Sequence, residues 1–169
     1  MTVQIDIAEL LINQSIEHLI AASKLVSPEH ELVEAEECIQ AVILFQVAME
    51  AIINEEIERS PLLKEVKKEN AALSTKYKSL SFKNKWERAF DVMKIRKKKE
   101  LNEYFTFYSR YRILVSHPKS RYISLDQYDY ENVYKGIRSG WKTIELLFLG
   151  LKKSRVSWEE MSREIGLVL

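Results

Sequence analysis

This chain of 169 residues has little of what several classes of protein require. It contains one cysteine, Cys38, which excludes an intramolecular disulfide and therefore the small secreted scaffolds that disulfides stabilise. We expect Cys38 to be a buried, unreactive thiol. No apolar run reaches the roughly 18 residues of a membrane-spanning helix, and Asp6 and Glu9 stand where a leader peptide would be basic. The sequence therefore predicts a soluble, cytoplasmic protein.

Turn-forming residues are scarce as well, with only four glycines and three prolines. These are too few for the turns between many short strands, whereas the helix formers Leu, Glu and Lys are abundant. A chain of this length can bury about two-thirds of its unfolded surface around one core. We predict a single all-α domain over residues 1–169, a helical bundle of about five to seven helices.

Apolar residues recur at intervals of three and four along most of the chain, which is typical of amphipathic helices. This periodicity predicts helices over about 5–26, 28–59, 86–99, 100–116 and 126–151. The second of these is apolar on more than one side and should be the central helix. Ser157-Trp158-Glu159-Glu160 matches a capping box and predicts a last short helix that stops near Gly166.

The charges are divided unevenly, although the net charge is only +1. Residues 1–60 hold 12 acidic and 2 basic side chains, whereas residues 61–100 hold 13 basic and 5 acidic ones. A positive segment of this kind can attract a polyanion such as RNA. Alternatively, it complements the acidic segment within the molecule or across a dimer, and Arg96–Lys99 stabilise the negative end of a helix dipole.

Residues 61–85 form the weakest part of the helical pattern, with lysine-rich helical pieces and breaks near Ser74-Thr75 and Ser79-Leu80-Ser81. Of all parts of the chain, this segment is the most favourable place for a loop or a mobile lid. Residues 100–116 are instead rich in aromatic side chains at helical spacing. Such residues usually belong to the core, although exposed ones could stack on bases.

The segment with the clearest chemistry sets Arg112 five positions before His117. Arginine carries a permanently charged guanidinium group whose paired N–H donors suit a phosphate, and histidine titrates near neutrality. The pair could therefore act on a phosphodiester. Residues five apart on a helix point about 140° away from each other. Pro118, however, disfavours the α conformation at His117, so the helix should end there and the two side chains could converge. Alternatively, His117 only caps or packs against that helix end.

Ala48-Met49-Glu50-Ala51-Ile52-Ile53-Asn54 in a long helix, followed by Arg112-Ile-Leu-Val-Ser-His117-Pro118 at a later helix end, resembles the HEPN superfamily. HEPN stands for higher eukaryotes and prokaryotes nucleotide-binding. The resemblance covers about residues 30–150. It implies a small α-helical bundle and a metal-independent ribonuclease of a toxin–antitoxin or antiviral defence system. It also implies RNA or a nucleotide as ligand, a homodimer, and an antitoxin or other protein as partner.

The resemblance implies that Arg112 and His117 are catalytic. Glu50, Arg110 and Ser116 are candidate supporting residues, with Glu50 orienting Arg112. Arg110 also lies within the permitted distance of His117, so both arginines remain candidates. Strand-guiding residues are proposed in the basic run: Lys94, Arg96, Lys97, Lys98 and Lys99.

Two departures from the family pattern concern the site. Ile113 follows the arginine, where the family usually has a polar residue, and this favours the alternative of a catalytically inactive module that binds a nucleotide or partner protein. Lys119 stands where a toxin subgroup has a tyrosine that a partner enzyme modifies. A third alternative is a helical interaction domain with a chance Arg–His pair.

The remaining histidines, His18 and His30, have no cysteine or carboxylate at ligand spacing, so we predict neither a metal site nor a cofactor. One histidine cannot easily serve as both base and acid. A homodimer that brings two copies of His117 into one cleft would solve this.

Overall fold

The computed structural model describes residues 6–74, 79–96, 98–116 and 128–167, and of residues 74 and 112–116 it describes the backbone. Within these ranges the chain forms seven α-helices and no strand, so the predicted all-α bundle is confirmed. No described helix combines the length and the apolar character needed to cross a bilayer. The helices are α1 (Ile7–Ser23), α2 (Glu31–Arg59), α3 (Lys64–Ser74), α4 (Phe82–Val92), α5 (Lys99–Ser116), α6 (Tyr130–Gly150) and α7 (Trp158–Glu164).

Helix α2 is the central helix, as its broad apolar surface predicted. It contacts α1, α3, α4, α5 and α6. Phe45, Met49 and Ile53 on α2 are completely buried. Cys38 on the same helix is also completely buried, and burial raises the pKa of its thiol to about 12. The expectation of a buried thiol is therefore confirmed.

The basic run does not end helix α4, so that prediction is wrong. The helix stops at Val92, and Lys94 adopts a left-handed conformation with φ of 58°. The N–H groups of Lys94 and Ile95 donate to the carbonyls of Asp91 and Phe90 at 3.0 and 2.9 Å, which closes the helix before the lysines begin. This kind of helix end requires a residue with positive φ, which is usually glycine. Here the residue is Lys94.

The last helix begins as predicted. Ser157 Oγ accepts a hydrogen bond from the Glu160 N–H at 3.2 Å, and the helix is followed by Gly166 with φ of 69°. Before α2, Ser27 does not cap the helix backbone with its side chain. Its hydroxyl contacts His30 Nδ1 at 2.8 Å, and a short 3-10 turn over Pro28–His30 precedes the helix.

Two glycines of α6 allow it to pack unusually closely on α5. A Cβ atom on Gly136 would lie 2.2 Å from Phe107, and one on Gly140 would lie 2.4 Å from Phe45 and 2.8 Å from Tyr104. Gly136 thus faces Phe107 and Gly140 faces Tyr104, so α5 and α6 run antiparallel.

The aromatic helix predicted over residues 100–116 contributes to the core, since Tyr104, Phe107 and Tyr111 are at most 7% exposed.

The start of α6 is tied to α2 and α5. The carboxylate of Glu34 on α2 accepts the backbone N–H of Tyr130 at 2.8 Å, and Asp129 caps the helix through the N–H of Asn132, also at 2.8 Å. Tyr128 is completely buried and donates its hydroxyl to the carbonyl of Tyr111 at 3.0 Å. The first turn of α6 is therefore fixed beside the last turns of α5.

Residues 126 and 127, which were predicted to begin this helix, lie outside the described residues.

Replacing Glu34 with alanine should lower the free energy of unfolding by about 1–2 kcal/mol, because the buried N–H of Tyr130 loses its acceptor. Thermal or urea unfolding followed by circular dichroism would measure the change. Glu36→Ala on the exposed side of the same helix is the matched control and should change stability by less than about 0.5 kcal/mol. Equal effects of the two substitutions would contradict this role for Glu34.

Candidate nucleic-acid interface

The residues of the Arg–His motif fall at the limit of the described structure. Arg112 lies in the last turns of α5, where the backbone is described. The same holds for Ile113 and Ser116. His117, Pro118, Lys119 and the rest of the connection to Tyr128 lie outside the described residues. The convergence of Arg112 and His117 therefore stays a prediction.

Between α5 and α6 lies a groove of about 460 Å³. We call it the α5–α6 groove. Gly136 and Phe107 line it where α5 and α6 approach each other closely, since a Cβ atom on Gly136 would lie 2.2 Å from the Phe107 ring. Five cationic and two anionic side chains line it: Lys99, Arg110, Lys135, Arg138 and Lys142, with Glu100 and Glu103. Its excess of positive charge suits an anionic ligand.

Arg110 stands apart among these cations. It is exposed, and it has no carboxylate partner among the described residues. Its guanidinium carbon lies 5.6 Å from the centre of the Tyr111 ring, within the range of a cation–π contact. An exposed guanidinium without a counter-ion retains its full capacity to bind a phosphate oxygen.

Helical geometry separates the two candidate arginines. Successive residues of an α-helix are about 100° apart, so position 112 lies about 200° around α5 from position 110. Position 110 is on the side of α5 that forms the groove. The backbone of α5 therefore places positions 110 and 112 on nearly opposite sides of the helix.

The other groove cations already have carboxylate partners. Lys142 Nζ lies 2.5 Å from Glu159 Oε1, and Arg138 Nη2 lies 3.7 Å from the same oxygen. The hydrogen bond from Lys142 lowers the pKa of the Glu159 carboxyl below its usual value. In addition, Lys99 lies 3.7 Å from Glu103, and Lys135 pairs with Glu131 one helical turn away. Apart from Lys142, whose side chain is 27% exposed, the members of these pairs are exposed, and exposed ion pairs contribute little stability.

The basic segment 61–100 is partly neutralised within the molecule. Lys67 pairs with Glu58 of α2 at 2.7 Å, and Lys85 donates to Asn54 of α2 at 2.8 Å. Arg88 pairs with Glu69 at 2.8 Å, within the basic segment itself. Of these contacts, the Lys67–Glu58 pair joins the basic segment to the acidic one, as the alternative of internal charge complementarity predicts.

The proposed strand-guiding residues that the structure describes differ in their contacts. Lys98 pairs with Asp91, and Lys99 lines the α5–α6 groove. Lys94 and Arg96 are exposed without an ion pair to any described residue, and Lys97 lies outside the described residues. Glu50, the candidate supporting residue, is half-buried on α2.

The cations of α6 were missed at the level of sequence. Lys135, Arg138 and Lys142 recur at intervals of three and four, so they form a basic stripe along one side of the helix. The apolar residues of this segment predicted the helix over about 126–151, and that prediction did not use the spacing of its charges. The charge spacing was the signal that could have revealed the stripe.

Protein-family models, curated proteins and solved structures were compared with this chain, and none matches it. The HEPN resemblance therefore depends on the sequence segments around Glu50 and from Arg112 to Pro118.

Proposed function

We propose that the protein binds RNA in the α5–α6 groove and cleaves it without a metal ion, as an endoribonuclease of the HEPN type. The observation that carries this proposal is the cationic α5–α6 groove, in which Arg110 lies at the end nearest in the chain to Arg112. Position 112 lies on the other side of α5, so we propose that the strand leaves the groove at this end and passes around α5 to reach Arg112. Counterion release from the bound strand would provide much of the affinity. The proposal includes a role in a cytoplasmic toxin–antitoxin or antiviral system.

The groove is suited to the sugar–phosphate backbone more than to bases. Its aromatic residues, Phe107 and Tyr111, are 7% and 3% exposed, so they offer little ring surface for stacking. The other side chains that line the groove are the seven charged ones named above and three neutral polar ones, Thr106, Asn132 and Ser139. Phosphate contacts position a strand without carrying information about its sequence. We therefore propose binding with little sequence preference in this groove.

In the proposed reaction, one histidine removes the proton from a ribose 2′-hydroxyl as that oxygen attacks the adjacent phosphorus. The bond from phosphorus to the 5′-oxygen breaks, and a second histidine donates a proton to the departing oxygen. Arg112 stabilises the negative charge on the phosphoryl oxygens through charge-assisted hydrogen bonds. Each chain supplies one His117, so we propose that two subunits form the site, with Ser116 and Glu50 as supporting residues.

A first test is binding of a fluorescein-labelled single-stranded RNA at several salt concentrations, measured by fluorescence anisotropy. We expect Arg110→Gln to weaken binding by about tenfold and to reduce the slope of log K against log salt by about 0.7, the loss of one phosphate contact. Arg163→Gln, an exposed arginine of α7 outside the groove, is the matched control. If both variants bind alike, the groove is not the RNA site.

A second test is cleavage of the same RNA by the wild-type protein with a chelator present. Chelator-resistant cleavage supports the enzymatic proposal. RNA binding without cleavage favours the second candidate, a catalytically inactive module that binds a nucleotide, an RNA or a partner protein. The observation in favour of that candidate is Ile113, which stands where the family usually has a polar residue.

A further inference from the structure

One carboxylate that lies outside the α5–α6 groove forms ion pairs with two of the cations that line the groove. Glu159, in the first turn of α7, contacts both Lys142 and Arg138 of the α6 stripe through a single oxygen, at 2.5 and 3.7 Å. Its side chain is 51% exposed and that of Lys142 is 27% exposed. The carboxylate therefore occupies, in contact with solvent, the position where a phosphate bound to these two cations would lie.

Helix α7 is anchored on α6 by contacts that do not involve the Glu159 side chain. The backbone N–H of Trp158 donates to Glu145 of α6 at 2.6 Å, and its indole N–H donates to the Tyr134 hydroxyl at 3.3 Å. The indole ring is 1% exposed and packs edge-on against Tyr134 and Trp141. These contacts hold Glu159 at the stripe and keep its effective concentration high.

We propose that Glu159 is a built-in competitor for the phosphate groups of the ligand. Its carboxylate accepts a hydrogen bond from Lys142 and lies 3.7 Å from Arg138, so it offsets the charge of both, and a ligand gains their full attraction only by displacing it. The inference rests on the proposed function, because it takes the α5–α6 groove to be the RNA site.

The geometry makes this competition depend on the length of the ligand. Since α5 and α6 run antiparallel, Arg110 and Lys142 lie at opposite ends of the groove. At the other end of the groove, no carboxylate of the described residues pairs with Arg110. A ligand with a single phosphate can bind there and leave Glu159 in place. A strand that extends along the groove competes with Glu159 for Lys142 and Arg138, so the competitor lowers the affinity for strands and leaves that for mononucleotides unchanged.

The test compares Glu159→Gln with Glu160→Gln. Glu160 is the next residue of α7, is exposed and makes no ion pair with a described residue, so its replacement makes the same change in net charge. We expect Glu159→Gln to tighten binding of the labelled single-stranded RNA about two- to fivefold, the effect of removing an exposed ion pair. Binding of adenosine monophosphate should not change. Circular dichroism should show the same melting behaviour for both variants.

A double substitution separates local competition from a general effect of charge. In a Lys142→Met background, Glu159→Gln should tighten RNA binding much less, because the main donor that it releases is gone. Equal tightening by Glu159→Gln and Glu160→Gln, or no tightening by either, overturns the inference while leaving the groove as the RNA site. Absence of RNA binding by the wild type and by both variants overturns the inference and the proposed function together.

Discussion

Replacing Gly140 with alanine should lower the free energy of unfolding by about 2–3 kcal/mol, even though alanine is the better helix former by about 1 kcal/mol. The new methyl group would lie 2.4 Å from Phe45 and 2.8 Å from Tyr104. Both rings are completely buried, on α2 and α5, and neither can move without displacing other core residues. Helix α6 would have to shift outwards from both helices.

Urea unfolding and thermal melting would measure this loss, which corresponds to a fall in melting temperature of about 5–10 °C for a chain of this size. Ser139→Ala is the matched control, because it changes the preceding residue of α6 and removes only a long hydrogen bond of 3.4 Å to Glu103. It should cost less than about 0.5 kcal/mol. A Gly140→Ala variant as stable as the control would show that α6 does not need its close approach to α2 and α5.

Replacing His117 with alanine should lower the rate of chelator-resistant RNA cleavage by about 10²–10⁴-fold, the usual contribution of a positioned proton-transfer group. The basis is the proposed role of His117 as base and acid. RNA binding should change little, since the proposed phosphate contacts lie along the α5–α6 groove. The measurement is single-turnover cleavage of labelled RNA, with binding measured separately by anisotropy.

His30→Ala is the control for this substitution, because His30 is an exposed histidine at the start of α2. It should leave cleavage unchanged. Identical rates for the wild type and His117→Ala would end the enzymatic proposal, whereas RNA binding in the groove would still be open to the test with Arg110→Gln.

Local patterns predicted the features that depend on neighbouring residues. Ser157 caps α7 because its hydroxyl reaches a backbone N–H three residues later, which requires only a short segment of chain. The central place of α2 followed from apolar residues on more than one of its sides. The burial of Tyr104 and Phe107 followed from their size and helical spacing.

Contacts between distant segments were beyond such patterns. The acceptor for the Tyr130 N–H is Glu34, which is 96 residues away in the chain. The end of α4 at Val92 depends on a left-handed lysine, Lys94, a position at which a pattern search expects glycine. The basic run was therefore assigned to the end of one helix, whereas its last residue begins the next.

The amino-acid composition and the spacing of apolar residues determined the all-α class, the central helix and the aromatic core, because these depend on what each residue prefers within a few turns of chain. The tertiary structure decided which charges face the same space. Lys135, Arg138 and Lys142 form one wall of a groove only because Gly136 and Gly140 bring α6 against α5. Likewise, Glu159 meets two of these cations only because Trp158 anchors α7 on α6.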